Sequence, residues 1–391
     1  MTLTEIAREA GVSTPTVSKV LNGRTDVAPE TRERVEQLLR RRGYRRRRTG
    51  AQQPAPLLEV VFNELESAWA LEVIRGAENV ARAEGLSLVL SDAAGRLSVG
   101  QSWVDGVLAR RPVGAILVLS GLEPGQREQL ARRDIPFVVM DPAGDPGEAV
   151  PAIGATNWQG GLAATRHLLE LGHRRIGVIS GPEGMMCSRA RVDGYRAALE
   201  TAGVAFEPGL VRAGDFHHEA GYRAGLQLLR LPERPTAVFT GNDLQALGLY
   251  EAARELGLRI PDELSVVGFD DLPLARWVGP PLTTVRQPLI EMAETAARLV
   301  LDLANGRPVA SPRIDLATSL VERGSSAPPA SAGRTSATAR GAQPGQSAQS
   351  GQSAGAGRSS AADDTADPAG AAGTAEAGLP AQSSPLSRSE R

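Results

Sequence analysis

Cysteine, histidine, lysine and aromatic residues are all scarce in this chain of 391 residues. It contains one cysteine (Cys187), four histidines and one lysine (Lys19), and aromatic residues make up 4% of it. A single cysteine excludes an internal disulfide framework and is typical of a reducing compartment. The four histidines include no pair at metal-ligand spacing near carboxylates, so the sequence predicts no metal site.

Long apolar runs and the common catalytic motifs are also missing. The sequence has no run of about 18 apolar residues and no secretory signal peptide, so we expect a cytoplasmic protein without a membrane-spanning segment. It has no phosphate-binding loop and no Gly-x-Gly-x-x-Gly motif, and no base is identifiable that could activate Cys187 as a nucleophile. We therefore expect neither an enzyme nor a bound cofactor.

Residues 3–21 have the pattern of two short amphipathic helices separated by a Gly-Val-Ser turn. Thr2 and Glu5 can form a capping box at the first helix, Gly11 supplies a sharp turn, and Ser13 can cap the second helix. Apolar residues recur at helical spacing through both helices: Ile6, Ala7, Ala10, Val17, Val20 and Leu21. This layout is that of a helix-turn-helix, whose second helix enters the major groove of DNA.

These motifs resemble the DNA-binding headpiece of the lactose-repressor (LacI–GalR) family of bacterial regulators. The resemblance covers Leu3 to Tyr44 and includes the segments 17–23 and 27–32. Residues 1–48 hold twelve Lys and Arg against six acidic residues, whereas the whole chain has a net charge of −2. A basic end on a weakly acidic body is typical of a nucleic-acid-binding module attached to another domain. The alternative is a three-helix packing module with no role in DNA binding.

We expect the outward side of the second helix to read DNA. Lys19 can donate to guanine O6 and N7, while Thr14 and Pro15 can contact thymine methyl groups. Phosphate contacts, which carry no sequence information, are expected from Ser13, Asn22 and Thr31. The complete predicted DNA interface is Ser13, Thr14, Pro15, Thr16, Ser18, Lys19, Asn22, Thr31, Arg45, Arg46, Arg47 and Arg48.

The chain departs from the family in the linker that follows the headpiece. Family members normally have a short hinge helix there, with a Pro-Asn pair and a leucine that wedges into the minor groove. Here Arg45–Arg48 precede a Gly/Gln/Pro segment, residues 49–56, that contains neither feature. We therefore expect no hinge helix. The arginines could enter a narrow A/T-rich minor groove or simply bind phosphates, and the second interpretation is favoured.

From Leu57 to about Arg323, apolar β runs alternate with helical stretches. Continuous Val/Ile/Leu strands separated by helices indicate parallel sheets covered on both faces. The segment from Leu57 to about Arg323 is too long for one doubly wound sheet, so we expect two lobes. The family resemblance continues here through the segments 167–177, 191–195, 241–243, 266–271 and 280–285. It implies the fold of a periplasmic sugar-binding protein, with a ligand cleft between two lobes at the carboxyl ends of the strands. It also implies a homodimer.

Polar residues at the predicted strand ends suit a ligand with several hydroxyl groups. Carboxylates and amides such as Asp270 and Asn242 can bind several hydroxyls at once, and Arg191, expected to open a helix, presents a planar donor fork. In the family, the positions matched by these three residues contact the effector. Asp243 and Asp271 could equally cap helices, and Arg191 could serve only to bridge the lobes.

The few aromatic residues also fall at predicted strand ends or in the following loops. A flat apolar face suits the C–H surface of a sugar ring, with core packing as the alternative. Stacking on the ligand is favoured for Phe216 and Trp277 and left open for Trp69 and Trp158. The complete predicted effector site is Phe62, Trp69, Ser120, Asp141, Trp158, Arg191, Phe216, Asn242, Asp270 and Trp277.

The predicted fold is thus α/β: an all-α helix-turn-helix headpiece (1–48), a linker (49–56), a two-lobed doubly wound parallel-sheet sensor domain (57–323) and a disordered C-terminal tail (324–391), which lacks the apolar content to fold. The predicted function is a nucleoid-associated transcriptional regulator, a repressor, that binds double-stranded operator DNA under the control of a sugar. Two alternatives stay open: a nucleobase-responsive repressor of the same fold, and a sugar-binding receptor with vestigial DNA binding.

Overall fold

The computed structural model describes residues 3–21, 27–41, 54–148, 150–307, 309 and 311–330. Several predictions concern residues outside these ranges. They are the predicted cap by Thr2, the predicted phosphate contacts of Asn22 and Arg45–Arg48, the predicted absence of a hinge helix, and the predicted disorder of most of the tail. The description that follows is limited to the residues within them.

The headpiece contains helices α1 (Leu3–Ala10), α2 (Thr14–Leu21) and α3 (Pro29–Arg41). Gly11 takes the left-handed conformation, with φ of 67°, that the turn between α1 and α2 requires. The Ser13 hydroxyl accepts a hydrogen bond from the Thr16 amide at 3.3 Å, which confirms the predicted cap. The three helices enclose a small apolar core of Ile6, Ala7, Ala10, Val17, Val20, Val27 and Val35.

The body consists of two six-stranded sheets, with helices on both faces of each. The strands are β1 (Leu57–Phe62), β2 (Ser87–Asp92), β3 (Gly114–Val118), β4 (Phe137–Met140), β5 (Ala152–Ala155), β6 (Ile176–Ile179), β7 (Val211–Arg212), β8 (Ala237–Thr240), β9 (Ser265–Asp270), β10 (Thr283–Arg286), β11 (Arg313–Leu316) and β12 (Ser319–Val321). The helices are α4 (Ala68–Ala83), α5 (Gln101–Arg110), α6 (Pro124–Ala131), α7 (Asn157–Glu170), α8 (Met186–Thr201), α9 (His218–Leu229), α10 (Asp243–Glu255) and α11 (Leu289–Ala304).

Each sheet forms one lobe. The first sheet has the order β11-β5-β4-β3-β1-β2 and is parallel throughout; the second has the order β12-β10-β9-β8-β6-β7 and is parallel except for β12. The chain passes between the lobes after β5, after β10 and after β11. Apolar clusters cover both faces of the two sheets. This arrangement confirms the predicted pair of doubly wound lobes.

The structure corrects the predicted start of the tail. Residues 324–330 pack on the second lobe instead of leaving it. The buried Ser325 hydroxyl accepts from the Thr283 amide at 2.8 Å and donates to the Val266 carbonyl at 2.6 Å. Backbone and hydroxyl groups hold this segment in place, and its sequence therefore lacks the apolar period from which a packed element is predicted.

Candidate functional site

The main cavity lies between the two lobes, at the carboxyl ends of their strands, and has a volume of about 320 Å³. This position agrees with the general rule for open α/β sheets. Its polar lining residues are Asn63, Glu64, Ser67, Asp141, Arg191, Asp215, His217, Asn242 and Asp270, and its aromatic ones are Phe62, Trp69 and Phe216. Seven of the ten residues predicted for the effector site therefore line one cavity.

Arg191 is held rigidly at the base of the cavity. It lies at the sixth position of α8 rather than at the start of a helix, which corrects the sequence prediction, and only 4% of its surface is exposed. Its Nε donates to Asn157 Oδ1 at 2.9 Å, Nη1 to the Gly241 carbonyl at 2.6 Å and Nη2 to Gln287 Oε1 at 3.2 Å. Its guanidinium also stacks 3.6 Å from the ring centroid of Phe269.

Two glycines allow α7 and α8 to pack closely, and this contact positions Arg191 at the base of the cavity. A Cβ atom on Gly161 of α7 would lie 2.1 Å from the Arg191 carbonyl oxygen, and one on Gly194 of α8 would lie 2.1 Å from the Trp158 carbonyl oxygen. Any larger residue at either position would push the two helices apart. The close α7–α8 contact therefore depends on both glycines.

Asp270 presents an unsatisfied carboxylate oxygen beside Arg191. It ends β9, is 3% exposed, and its Oδ1 accepts no hydrogen bond from the described residues. Nη1 of Arg191 lies 3.7 Å from this oxygen. Burial raises the pKa of Asp270 well above its ordinary value, and the Arg191 charge opposes that shift only in part. A buried polar atom without a partner is destabilising unless a bound molecule supplies one.

Asp141 is the corresponding carboxylate of the first lobe. It follows β4 and is buried; burial raises its pKa, while Arg191 and hydrogen bonds from Gln287 and Asn157 lower it. Asn157 begins α7 and Gln287 follows β10, so both lie where the chain passes between the lobes. They contact Arg191 as well, and a polar network therefore joins the two lobes beneath the cavity.

Strained backbone is concentrated around the same cavity. Four non-glycine residues that line it have positive φ angles: Leu119 (49°), Asp141 (49°), Phe216 (72°) and Asp270 (111°). L-amino acids rarely adopt this region, and such residues cluster at functional sites. The backbone at the strand ends is thus shaped for the cavity at an energetic cost.

Asn242 lines the cavity and also has a structural role. Its Oδ1 caps α10 by accepting from the Gln245 amide at 2.9 Å, and its Nδ2 donates to the Phe216 carbonyl at 2.8 Å. The neighbouring Asp243 instead accepts from the Leu272 amide at 2.8 Å, and burial raises its pKa to about 7. Asp271 forms ion pairs with two arginines. Neither aspartate is among the residues that line the cavity, and the residue that caps α10 is Asn242.

Three predicted site residues lie outside the main cavity. Trp158, in the first turn of α7, is 41% exposed, and Trp277, which follows a short 3-10 turn, is 79% exposed. Ser120 lines an adjoining cavity instead. The sequence can predict that a residue lies near the carboxyl end of a strand. It does not predict whether the side chain of that residue points into the cleft between the lobes.

The sequence prediction missed a pair of residues that joins the lobes across the cavity. His217 precedes α9 in the second lobe, and its Nε2 lies 3.0 Å from Oε2 of Glu64, which follows β1 in the first lobe. Both side chains line the cavity. The strand-end rule could have found Glu64, because it stands two residues beyond Phe62, but nothing in the local sequence distinguishes His217.

The one cysteine of the chain also belongs to the lining of the main cavity. Cys187 lines the cavity, and burial raises the pKa of its thiol to about 12, so the thiol stays protonated at neutral pH. Across the described ranges, no three His, Cys, Asp or Glu side chains are grouped so that they could hold a metal ion. Within the same ranges, no helix is long and apolar enough to cross a membrane.

In the headpiece, the predicted base-reading residues lie on the outward side of α2. Pro15 and Lys19 are exposed and Thr14 is half-buried, whereas Val17 and Val20 of the same helix are buried in the core. This is the arrangement that a helix needs in order to enter a groove while its other face packs.

Sequence comparisons identify both parts of the chain. Residues 2–47 match the sequence profile described as bacterial regulatory proteins of the lacI family, and residues 165–326 match that of the periplasmic binding protein-like domain. The HTH-type transcriptional repressor CytR of Escherichia coli (strain K12) is 35% identical over 327 residues, which are 83% of this chain and 96% of that protein.

Solved structures of similar proteins have the same architecture. The transcriptional regulator CelR in a complex with cellobiose has a TM-score of 0.64 and 32% identity, over 83% of this chain and 99% of that one. The lac repressor dimer bound to operator and the anti-inducer ONPF has a TM-score of 0.61 and 28% identity, over 84% and 99%. This chain therefore belongs to the lacI family of bacterial regulatory proteins, DNA-binding regulators of transcription with a periplasmic-binding-protein-like body.

Proposed function

We propose that this protein is a dimeric transcriptional repressor whose affinity for operator DNA is controlled by a sugar bound in the main cavity. The observation that carries this proposal is the buried oxygen of Asp270, which has no hydrogen-bond donor among the described residues and lies 3.7 Å from Arg191. A ligand hydroxyl can donate to this oxygen and accept from Arg191 at the same time.

The walls of the cavity support a sugar as the effector. Phe62, Trp69 and Phe216 provide apolar faces, while Asp141 and Asp270 provide acceptors near its base. A sugar ring has this combination of C–H faces and a rim of hydroxyl groups. The volume of about 320 Å³ lies at the lower end of the range of small-molecule sites. CelR, crystallised with cellobiose, supplies a related precedent.

The headpiece would bind the operator DNA, with an affinity that depends on the bound sugar. In this proposal Thr14, Pro15 and Lys19 read base edges, and Ser13 contacts phosphate. The lac repressor, solved as a dimer on its operator, supplies the precedent for pairing two headpieces on one site. The protein would then act at the nucleoid, where its operator DNA lies.

A thermal-shift screen tests the effector class. The full chain is melted with a panel of mono- and disaccharides and, in parallel, with purine bases and nucleosides. A ligand that binds only the folded state raises the melting temperature. We expect a rise with one sugar series, no rise with Asp270→Ala, and a normal rise with Asp193→Ala, an exposed aspartate of α8. A response restricted to purines would instead support the nucleobase-responsive repressor.

Operator binding is tested on DNA from upstream of the gene by fluorescence anisotropy. We expect specific binding that the active sugar weakens. If the protein binds sugar but shows no preference for any upstream DNA, the receptor with vestigial DNA binding becomes the better interpretation.

A further inference from the structure

Glu64 and His217 lie at the opening of the main cavity. Both side chains line it, and each is a little under half exposed, which places the pair where the cavity meets solvent. The distance of 3.0 Å between Nε2 of His217 and Oε2 of Glu64 is that of an N–H···O hydrogen bond. Because Glu64 belongs to the first lobe and His217 to the second, this contact spans the cleft.

The backbone before α9 positions His217 for a contact outside its own lobe. His217 occupies the N-cap position of α9, where Ser, Thr, Asp or Asn usually accepts a hydrogen bond from the helix, yet its side chain makes no such bond. Its amide donates to Asp215 Oδ1 at 2.9 Å. The carbonyl of Phe216, whose φ is 72°, accepts from Asn242 Nδ2 at 2.8 Å. The segment is therefore fixed, and its imidazole points to the other lobe.

Glu64 is fixed in a similar way in the first lobe. It follows Asn63, whose amide donates to the Val118 carbonyl at 3.1 Å and whose carbonyl accepts from the Gly95 amide at 2.7 Å. Among the described residues, His217 is the one ion-pair partner of the Glu64 carboxylate. Both ends of the contact are thus attached to fixed backbone, so a separation of the lobes must break it.

A second contact crosses the cleft through the backbone. The amide of Met186, at the start of α8, donates to the carbonyl of Ala143, in the loop that follows β4, at 2.8 Å. A change of side chain leaves the groups of this bond in place. The contact between His217 and Glu64, by contrast, can be removed by one substitution, so its contribution to closure can be measured separately.

We propose that His217 and Glu64 form a latch that holds the two lobes together across the opening of the main cavity. A ligand then enters or leaves after this contact has opened, and the latch slows exchange between the cavity and solvent. This inference concerns the closure of the cavity and applies to any class of ligand. It therefore goes beyond the proposed control by a sugar and does not depend on it.

Cys187 allows the opening of the cleft to be measured without a ligand. It is the one cysteine of the chain, it lines the main cavity, and it is 4% exposed. A neutral thiol reagent, N-ethylmaleimide, reaches this side chain when the lobes separate. The rate of modification follows the population of the open form when opening and closing are fast relative to the reaction. Mass spectrometry of the full chain at constant pH measures this rate.

We expect His217→Ala to raise the rate of Cys187 modification by about two- to fivefold, the range for an ion pair exposed to this extent. The matched control is His218→Ala. His218 is the next residue and is exposed to nearly the same degree, but its partner, Glu251, lies 3.4 Å away in the same lobe. This control should leave the rate unchanged.

A double-mutant cycle tests whether the two residues act together. Glu64→Ala should raise the rate as much as His217→Ala does, and the double variant should react no faster than either single variant. Glu64→Ala also keeps the proposal testable if His217→Ala does not fold. Urea denaturation of each variant gives the change in the unfolding equilibrium for comparison.

Four outcomes would overturn the latch. They are an unchanged rate in Glu64→Ala or in His217→Ala, an equal rise in His218→Ala, multiplication of the two effects in the double variant, and a rise no larger than the change in the unfolding equilibrium constant. Each of them leaves the proposed sugar-controlled function standing, because that function is tested by ligand and operator binding.

Discussion

The headpiece and the main cavity use charged side chains in opposite environments. In the headpiece, Lys19 lies on the exposed side of α2, and the other side of this helix packs into the apolar core of the headpiece. In the cavity, Arg191 and Asp270 are almost fully buried and are positioned by neighbouring groups that include Asn157 and Gln287. The first region presents its charges to solvent and the second encloses them.

This difference determines what each region can recognise. An exposed cation binds DNA through interactions that tolerate small movements and weaken with salt. A buried pair acts in only one geometry, and removing one partner leaves the other group buried without its counterpart. Substitutions in the two regions should therefore differ in kind as well as in size, and the following predictions test that separation.

The largest effect is expected from Arg191→Ala. The change removes three hydrogen bonds and leaves Asp270 and Asp141 buried without a nearby cation. We expect the free energy of unfolding to fall by about 3–5 kcal/mol and the response to ligand to disappear. Urea denaturation of the purified variant measures the first effect, and the thermal-shift screen measures the second.

The control is Arg196→Ala, on the exposed side of the same helix, where the ion pair with Asp193 contributes about 0–1 kcal/mol. Equal losses of stability in the two variants would contradict the role given to burial. Retention of the ligand response in Arg191→Ala would show that the effector binds elsewhere.

Lys19→Ala should affect DNA and leave the cavity unchanged. If Lys19 donates to a guanine, the variant should lose about 1–3 kcal/mol of binding free energy on the operator and relax its preference at one base pair in each half-site. Anisotropy titrations against operators changed one base pair at a time measure both effects. An equal loss on every sequence would show that Lys19 only contacts phosphate, and a changed sugar affinity would contradict the separation of the two regions.

Asp270→Asn should change how stability depends on pH. The raised pKa means that, above the ordinary aspartate value of 3.8, folded Asp270 retains a proton that the unfolded chain has lost. The free energy of unfolding therefore falls as the pH rises from that value to the raised pKa. Asparagine cannot ionise, so the variant should gain stability relative to the native protein as the pH rises. Urea denaturation at a series of pH values checks this.

Asp193→Asn, on the exposed side of α8, is the matched control for the loss of one carboxylate from this lobe. Parallel pH profiles for Asp270→Asn and the native protein would show that Asp270 ionises normally in the folded state.

The arginine run Arg45–Arg48 should contribute affinity without sequence preference. Each phosphate that these side chains neutralise adds about 0.9 to the slope of log affinity against log salt. Changing all four to alanine should flatten that slope and preserve the base preferences of α2. Titrations between low and moderate salt measure the slope, and an unchanged slope would exclude phosphate contacts by this segment.

The sequence predicts the fold of this protein better than it predicts the cavity wall. Strand ends can be located from apolar runs, and this places Phe62, Asn242 and Asp270 at the correct edge of the sheets. The apolar pattern of the strands carries no information about which side chains of the two lobes meet across the cleft. The contact between His217 and Glu64 could therefore not be predicted, since it depends on residues 153 positions apart meeting across the cleft.

Phe216 and Trp277 give the last and smallest test, because the sequence predicts ligand stacking for both and the structure separates them. Phe216 lines the main cavity, whereas Trp277 is 79% exposed and lies outside it. Phe216→Ala should lower sugar affinity by about tenfold, a loss typical of one aromatic contact. Trp277→Ala should change sugar affinity by less than about twofold, because surface substitutions away from a site have little effect. Calorimetric titration of both variants with the active sugar measures this difference. A large loss in Trp277→Ala would mean that the lobes close further around the ligand and carry the loop after β9 into the cavity. That result would restore the stacking predicted from the sequence.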